Sequence, residues 1–301
     1  MSMIATARPK ASPCNLSFFV ALICAAVTLI ALPRHARAQS QELMPAASAA
    51  KAHDILNQAV AALGGETYLR MRDLDCKGHY GQFDSASGET GGAIEARFAQ
   101  LTPDKTRTEL EAKTFLTDIY YFPIQTKGHV VMIYTPDGAW AYTKEHGVAD
   151  MGADTVSDYK DQLQTSLSTI LRSRLDEPGL MFRYAGSDIV DLKQIDWVEI
   201  TDKQQRVVRV AVDQKTHLPV RYELVARDPA TNKRTDNMRT YTNYHDVGGI
   251  QVPFQTALFL NDRPISQTFY SSCQANTGLS PALFTREGLE SETAKTNKKG
   301  R

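Results

Sequence analysis

Cysteine, tryptophan and clustered positive charge are all scarce in this chain of 301 residues, which has four cysteines, two tryptophans, and 34 basic side chains balanced by 34 acidic ones. No dense run of Lys and Arg occurs before the last few residues. Proteins that hold nucleic acid neutralise its phosphates with a clustered cationic surface, so no nucleic-acid partner is expected. Local catalytic signatures are missing as well. The sequence contains no H-E-x-x-H, no G-x-S-x-G, no P-loop and no G-x-G-x-x-G, so the zinc-hydrolase, serine-hydrolase and nucleotide chemistries that rest on those motifs have no local support. Beyond residue 38 the histidines His53, His79, His129, His146, His217 and His245 stand singly. None forms a local metal pair, and neither metal, cofactor nor catalytic residue is expected.

Long apolar runs are also few. The longest, residues 18–32, covers fifteen positions, short of the roughly 20 that a spanning helix needs. It follows a stretch carrying Arg8 and Lys10 and ends at Pro33, just before Ala36-Arg37-Ala38. Basic start, apolar middle and A-x-A site are the parts of a secretory signal peptide, so residues 1–38 are expected to be removed near Ala38. Cys24 lies inside the apolar run after Ile23 and lacks the small neighbour that a lipidation site would require. The leader holds Arg8, Lys10, Arg34 and Arg37 and no acid, so its loss leaves the remainder four charges negative. It also takes Cys14 and Cys24, leaving Cys76 and Cys273 in a compartment where disulfides persist. A bridge between them and two buried free thiols are equally compatible with the sequence, which fixes neither distance nor angle.

A flexible spacer is expected over 39–51. Residues 52–63 then place Ile55, Leu56, Ala59, Val60 and Leu63 at helical spacing before Gly64-Gly65, an amphipathic helix with a glycine stop. From residue 74 short β-rich segments alternate with turn signals, over 74–83, 93–100, 105–111, 115–122 and 130–134, which reads as an antiparallel meander. Pro136-Asp137-Gly138 is the clearest turn, with Pro presetting φ and Gly free to take a positive one. Trp140 and Tyr142 follow on one strand face. The period changes over 156–174, where Tyr159, Leu163, Leu167 and Ile170 recur three or four apart, giving a second amphipathic helix in the middle of a sheet protein. Strands resume over 180–184, 195–201, 206–213, 220–226, 237–245, 250–260 and 264–274.

Alternation assigns the faces: Ile94, Ala96 and Phe98 oppose Glu95 and Arg97, and Ile250, Val252, Phe254 and Leu258 share one side, so one face is wet and the other dry. Residues 105–111 alternate charge with Thr106, Thr108 and Leu110, a pattern suited to an edge strand defended by charge. Residues 286–301 carry no aromatic side chain and several lysines, and a disordered polar tail is expected there. No repeat of the propeller or solenoid kind is visible. Asp73 with Asp75, and Glu109 with Glu111, lie at i, i+2, but glycosidase chemistry needs a cleft that the sequence does not announce. Cys76 beside His79 or His245 reads as a bridge or core cysteine rather than a nucleophile. A large apolar face packs into an ordinary core in most proteins, and a sheet curved over a helix encloses a cavity only where the helix does not fill it.

Tyr134-Thr-Pro-Asp137-Gly138-Ala-Trp140-Ala-Tyr142 resembles the "DG-x-W-x-Y" hairpin of the LolA-like superfamily of bacterial periplasmic lipoprotein carriers. The run from Tyr241 through Tyr244, Gly248-Gly249-Ile250 to Pro253 is similar to the "Y-x-x-Y-x-x-v-x-G-I-x-x-P" turn late in those chains. Leu218-Pro219-Val220 after Asp213, and the closing segment from Asn276 to Phe284, add to the likeness, which covers about residues 52–285. The resemblance implies a mainly β, α+β fold: a half-open antiparallel β-barrel of about eleven strands covered by helices, around a hydrophobic cavity for acyl chains. It further implies a periplasmic, non-enzymatic carrier of a lipid or lipidated protein, serving outer-membrane biogenesis, monomeric and in touch with envelope membrane proteins. Burying acyl chains needs no catalytic group, since each methylene removed from water is worth about 0.8 kcal/mol. The candidate lining residues are Phe98, Trp140, Leu163, Leu167, Val210, Phe254 and Leu258. Each serves equally as plain core. Two other readings stay open: an envelope sensor or assembly module that binds a partner protein, and a hydrolase with a dispersed site.

Overall fold

The computed structural model describes residues 44–83, 90–112, 128–227 and 234–299. The signal peptide expected over 1–38 and the strand expected at 115–122 lie outside them. Among the described residues no helix is long and apolar enough to cross a membrane.

Helix α1 (Pro45–Leu63) opens the fold. It begins within the segment expected to be a flexible spacer, because Ala46, Ala47, Ala49 and Ala50 are strong helix formers and Ser48 is tied down. The Ser48 hydroxyl accepts from the Tyr184 amide at 3.0 Å. The helix stops at Gly64, whose φ of +126° disfavours a side chain. A Cβ there would also stand 2.3 Å from the Gly249 carbonyl oxygen, so the helix end and the glycine turn at 247–250 require each other.

After the short α2 (Glu66–Leu69) come β1 (Asp73–Phe83), β2 (Thr90–Leu101), β3 (Lys105–Ala112), β4 (Gly128–Thr135), β5 (Gly138–Thr143) and β6 (Gly147–Asp150). Helix α3 (Ala153–Thr165) and α4 (Leu167–Thr169), which continues as a π-helical turn (Ile170–Arg174), lead into the second strand group. That group is β7 (Met181–Val190), β8 (Lys193–Thr201), β9 (Val207–Asp213), β10 (Pro219–Arg227), β11 (Arg234–Asp246), β12 (Gln251–Leu260) and β13 (Arg263–Ala275). A 3₁₀ turn (Pro281–Phe284) and α5 (Arg286–Lys299) close the chain.

All the described strands join one antiparallel sheet of thirteen, in the order β6-β5-β4-β3-β2-β1-β13-β12-β11-β10-β9-β8-β7. It is not closed: β6 and β7 are its two edges. Two local meanders, β1 to β6 and β7 to β13, are therefore joined by the single long-range pair of β1 with β13. Cys76 and Cys273 are register partners in that pair and are linked by a disulfide. Asp73 locks the same seam. Burial opposes its charge, but the Thr277 hydroxyl and the amides of Thr277, Gly278 and Leu279 donate to it, so its carboxyl titrates below the ordinary range.

The inner face is set by alternation. Cys76, Phe98, Thr108, Met132 and Tyr134 point inward on the first meander, and Val198, Val210, Tyr222, Tyr244 and Val252 on the second. On the outer face Arg97 bridges Asp75 and Glu109, at 2.8 and 3.0 Å. The alternating charges of 105–111 thus belong to an interior strand, since β3 lies between β2 and β4, and not to a defended edge.

The C-terminal segment also departs from expectation. Instead of a disordered tail, residues 286–299 form α5 against the outer face, where Leu289 and Phe284 are buried with Ala99, Val131, Ile133 and Tyr142. Arg107, 0 % exposed at its side chain, donates to Glu109, to Glu292 and to the Leu283 carbonyl. A buried guanidinium without such partners would cost about 3–5 kcal/mol, and a helix of low apolar content becomes ordered by supplying one. The β4–β5 hairpin differs in a smaller way. Gly138 does not take a positive φ; it is needed because a Cβ would come within 2.4 Å of the Trp140 ring, while the Thr135 hydroxyl accepts from the Asp137 and Gly138 amides.

Candidate functional site: a covered cavity on the concave face

The segment from α3 through α4 connects the two opposite edges of the sheet, β6 and β7, and so crosses the inner face. Side chains of α3 and β10 fix its course. Tyr159 donates its hydroxyl to the Asp104 carbonyl at 2.9 Å, reaching the first meander. Tyr222, on the second, donates to the Thr165 carbonyl at 2.9 Å. At Ser166 the backbone is extended, which ends α3, and the Ser166 hydroxyl caps the next turn by accepting from the Thr169 amide. Arg172 then fastens the segment to the body of the fold, donating to the carbonyls of Leu69 and Met71. It carries no ion pair among the described residues, and burial lowers its pKa from the ordinary arginine value.

Between this segment and the sheet lies a cavity of about 540 Å³. Its apolar walls come from Leu63, Met71, Leu74, Phe98, Leu163, Leu167, Leu171, Ile250 and Val252. Tyrosines supply the rest of its character: Tyr68, Tyr134, Tyr159, Tyr241, Tyr244 and Tyr270 all line it. Burial raises the pKa of every one of them, to about 12 for Tyr68, Tyr159 and Tyr270 and further for Tyr134. They are neutral phenols at physiological pH, able to donate a hydrogen bond and to present an apolar ring. Neither Asp, Glu, Lys nor His is among the described lining residues, and no described cluster of His, Cys, Asp or Glu could hold a metal ion. The arrangement suits the burial of an apolar chain.

Of the seven residues singled out from the sequence, Phe98, Leu163 and Leu167 meet in this cavity. Trp140 lies on the outer face, packed with the cluster of Phe284 and Leu289, because β5 turns its odd-numbered alanines inward. Val210 is fully buried in the aliphatic core under α1. Phe254 stacks between His245 and Tyr270, with ring centroids 4.3 and 6.2 Å away. Leu258 is half-buried farther along β12, opposite Arg239. The sequence reading missed the tyrosines. The signal was present in Tyr241 and Tyr244, quoted only as part of a turn motif; at i, i+3 on one strand they fall on the same face only because Asn243 takes a positive φ of 55° and breaks the alternation.

No protein-family model matches the chain, and no curated protein matches its sequence. Solved structures do match its fold. A domain assigned to outer-membrane lipoprotein sorting from Vibrio parahaemolyticus aligns over 80% of this chain and 99% of its own, at 13% identity and a TM-score of 0.50. A DUF1329 family protein from Desulfovibrio piger ATCC 29098 aligns over 80% and 99%, at 14% identity and a TM-score of 0.52. A LolA superfamily protein from Nitrosomonas europaea aligns over 78% and 98%, at 12% identity and a TM-score of 0.47. The class defined is an open, barrel-like antiparallel sheet with few helices, as in lipoprotein-sorting domains. At identities of 13 and 14% the likeness is one of fold alone.

Proposed function

We propose that this protein is a non-enzymatic, periplasmic carrier that holds the acyl part of a lipid or lipidated protein in the cavity beneath the α3–α4 segment. The observation that carries the reading is the 540 Å³ cavity left between the cover and the sheet, walled mainly by apolar side chains and neutral phenols. A space of that size falls in the range of ordinary small-molecule sites. Phe98, Leu163 and Leu167 are the expected contacts for the chain, supported by their place on the cavity wall. The leader sequence and the cysteine pair suit an exported protein.

The test is organic extraction of the protein purified from its native envelope, followed by mass spectrometry. A stoichiometric acyl lipid is expected, and protein that is lipid-free at every purification step overturns the reading. A second reading, a sensor or assembly module that binds a partner protein, is favoured by the edge strand β7, where Met181 and Ile189 are exposed beside the exposed Leu192. Exposed apolar side chains of this kind can seat a partner, although the Tyr184 amide in the middle of the edge is already taken by Ser48. A co-purifying protein in place of lipid would support it.

A further inference from the structure

Arg239 stands out among the charged residues of the cavity. Of the described lining residues only Arg107 and Arg239 carry a charge, and Arg107 is satisfied on the outer face by Glu109 and Glu292. Arg239, on β11, is solvent-exposed and makes neither a hydrogen bond nor an ion pair among the described residues.

Its place along the strands gives it a direction. The buried end of the cavity lies at Leu63 on α1, Met71, Leu171 of the cover and Ile250. Arg239 pairs with Leu258 across β11 and β12, eight residues along β12 from Ile250, or about 26 Å at the rise of a strand. The cavity is therefore apolar at one end and cationic where it reaches solvent. Tyr241 and Tyr270 line it between those ends, their hydroxyls unpaired among the described residues and their pKa values raised by burial, with Arg239 acting weakly in the other direction.

Resting on the acyl-binding reading above, we infer that the ligand is a single-chain amphiphile with one anionic headgroup, a carboxylate or a phosphate, whose charge is met by the Arg239 guanidinium at the open end. The chain enters the apolar end and the headgroup stays partly in water. Arginine suits this role because its planar donor fork fits both oxyanions and its charge persists at any physiological pH. One cavity of this size accommodates one such chain.

The test uses the mature protein stripped of lipid and displacement of a fluorescent dansyl fatty acid. Competitors share a sixteen-carbon chain: palmitate, a palmitoyl lysophosphatidic acid and the uncharged hexadecanol. Wild type is expected to bind one or both anions about tenfold more tightly than the alcohol, the scale of one charge-assisted hydrogen bond at a partly exposed site. Arg239→Gln should lose that preference while binding hexadecanol unchanged, and Arg239→Lys should recover part of it. The two anions separate a carboxylate ligand from a phosphate ligand. Equal wild-type affinity for anions and alcohol, or an undiminished preference in Arg239→Gln, overturns the inference but leaves acyl binding standing. Failure of the dansyl probe and all three competitors to bind overturns both.

Discussion

Helix α1 and the α3–α4 segment lie on the same concave face and do opposite things to it. α1 presents Ala52, Ile55, Leu56, Ala59, Val60 and Leu63 to the sheet, and Val198, Ile200, Val208, Val210 and Val212 meet them in a continuous core. Aliphatic side chains and two alanines let helix and strands approach closely. α3 buries only Tyr159 and Thr165, and between them it turns Gln162 and Leu163 toward the cavity. Too little apolar volume is offered to fill the space over Phe98, Thr108 and Tyr270. Whether an inner face becomes core or cavity is decided here by the helix laid across it, and less by the strands beneath.

The largest test of that division is at the seam between the two meanders. Replacing Cys76 and Cys273 together by Ser should lower stability by up to about 5 kcal/mol, from the chain-entropy cost of a closure spanning 197 residues. Urea unfolding with and without reductant measures it, and indifference of the wild type to reductant would show that the seam holds without the bridge. Next, Leu56→Ala under α1 should cost about 3 kcal/mol, and Leu163→Ala on the cavity wall less than 1 kcal/mol, because only the first opens a new void in a packed region. Equal losses would erase the distinction between the two regions.

The tyrosines give the cavity side its own pH signature. Their folded pKa values are raised, so the stability they lend is complete below an ordinary phenol pKa of about 10 and is lost as pH climbs toward about 12. Tyr68→Phe should reduce that alkaline loss by about 2 kcal/mol, read as urea unfolding at pH 9 against pH 11.5. The smallest expected change in stability comes from Leu167→Trp. An extra ring costs about 1–3 kcal/mol in a filled core, whereas here the change should stay within about 0.5 kcal/mol while dansyl fatty acid binding falls about tenfold. A large drop in thermal midpoint would mean that the space is already filled.

The strands and their inward sides were legible from period two alone, as Ile94, Ala96 and Phe98 illustrate. The cover helix was legible from the spacing of Tyr159, Leu163 and Leu167. Position within the sheet was not: the charges of 105–111 mark an outer face as readily as an edge, and only the order of strands decides which. The tail misled for a similar reason. Residues 286–299 have little of their own to bury, and their order depends on Arg107, nearly 180 positions away. At the site, Phe98, Leu163 and Leu167 could be named because large apolar residues are conspicuous. Trp140 and Val210 carried the same signal but face a different helix. Arg239 carried none, and Tyr159, Tyr241 and Tyr244 showed only as members of a helix or turn pattern, since the use of a polar residue depends on which partners it lacks, and this is visible only in three dimensions.

The pairing of β1 with β13 also bears on how the chain reaches its native state. Within each meander every strand pairs with its neighbour in sequence, but the seam at Cys76 and Cys273 joins positions separated by 197 residues. Local hairpins form on microsecond timescales, while contacts of high sequence separation must await closure of a long loop. Each meander should therefore zip up independently and the seam close last. Formation of the native thiol pair during oxidative refolding would then serve as a clock for the final assembly step, readable by timed alkylation.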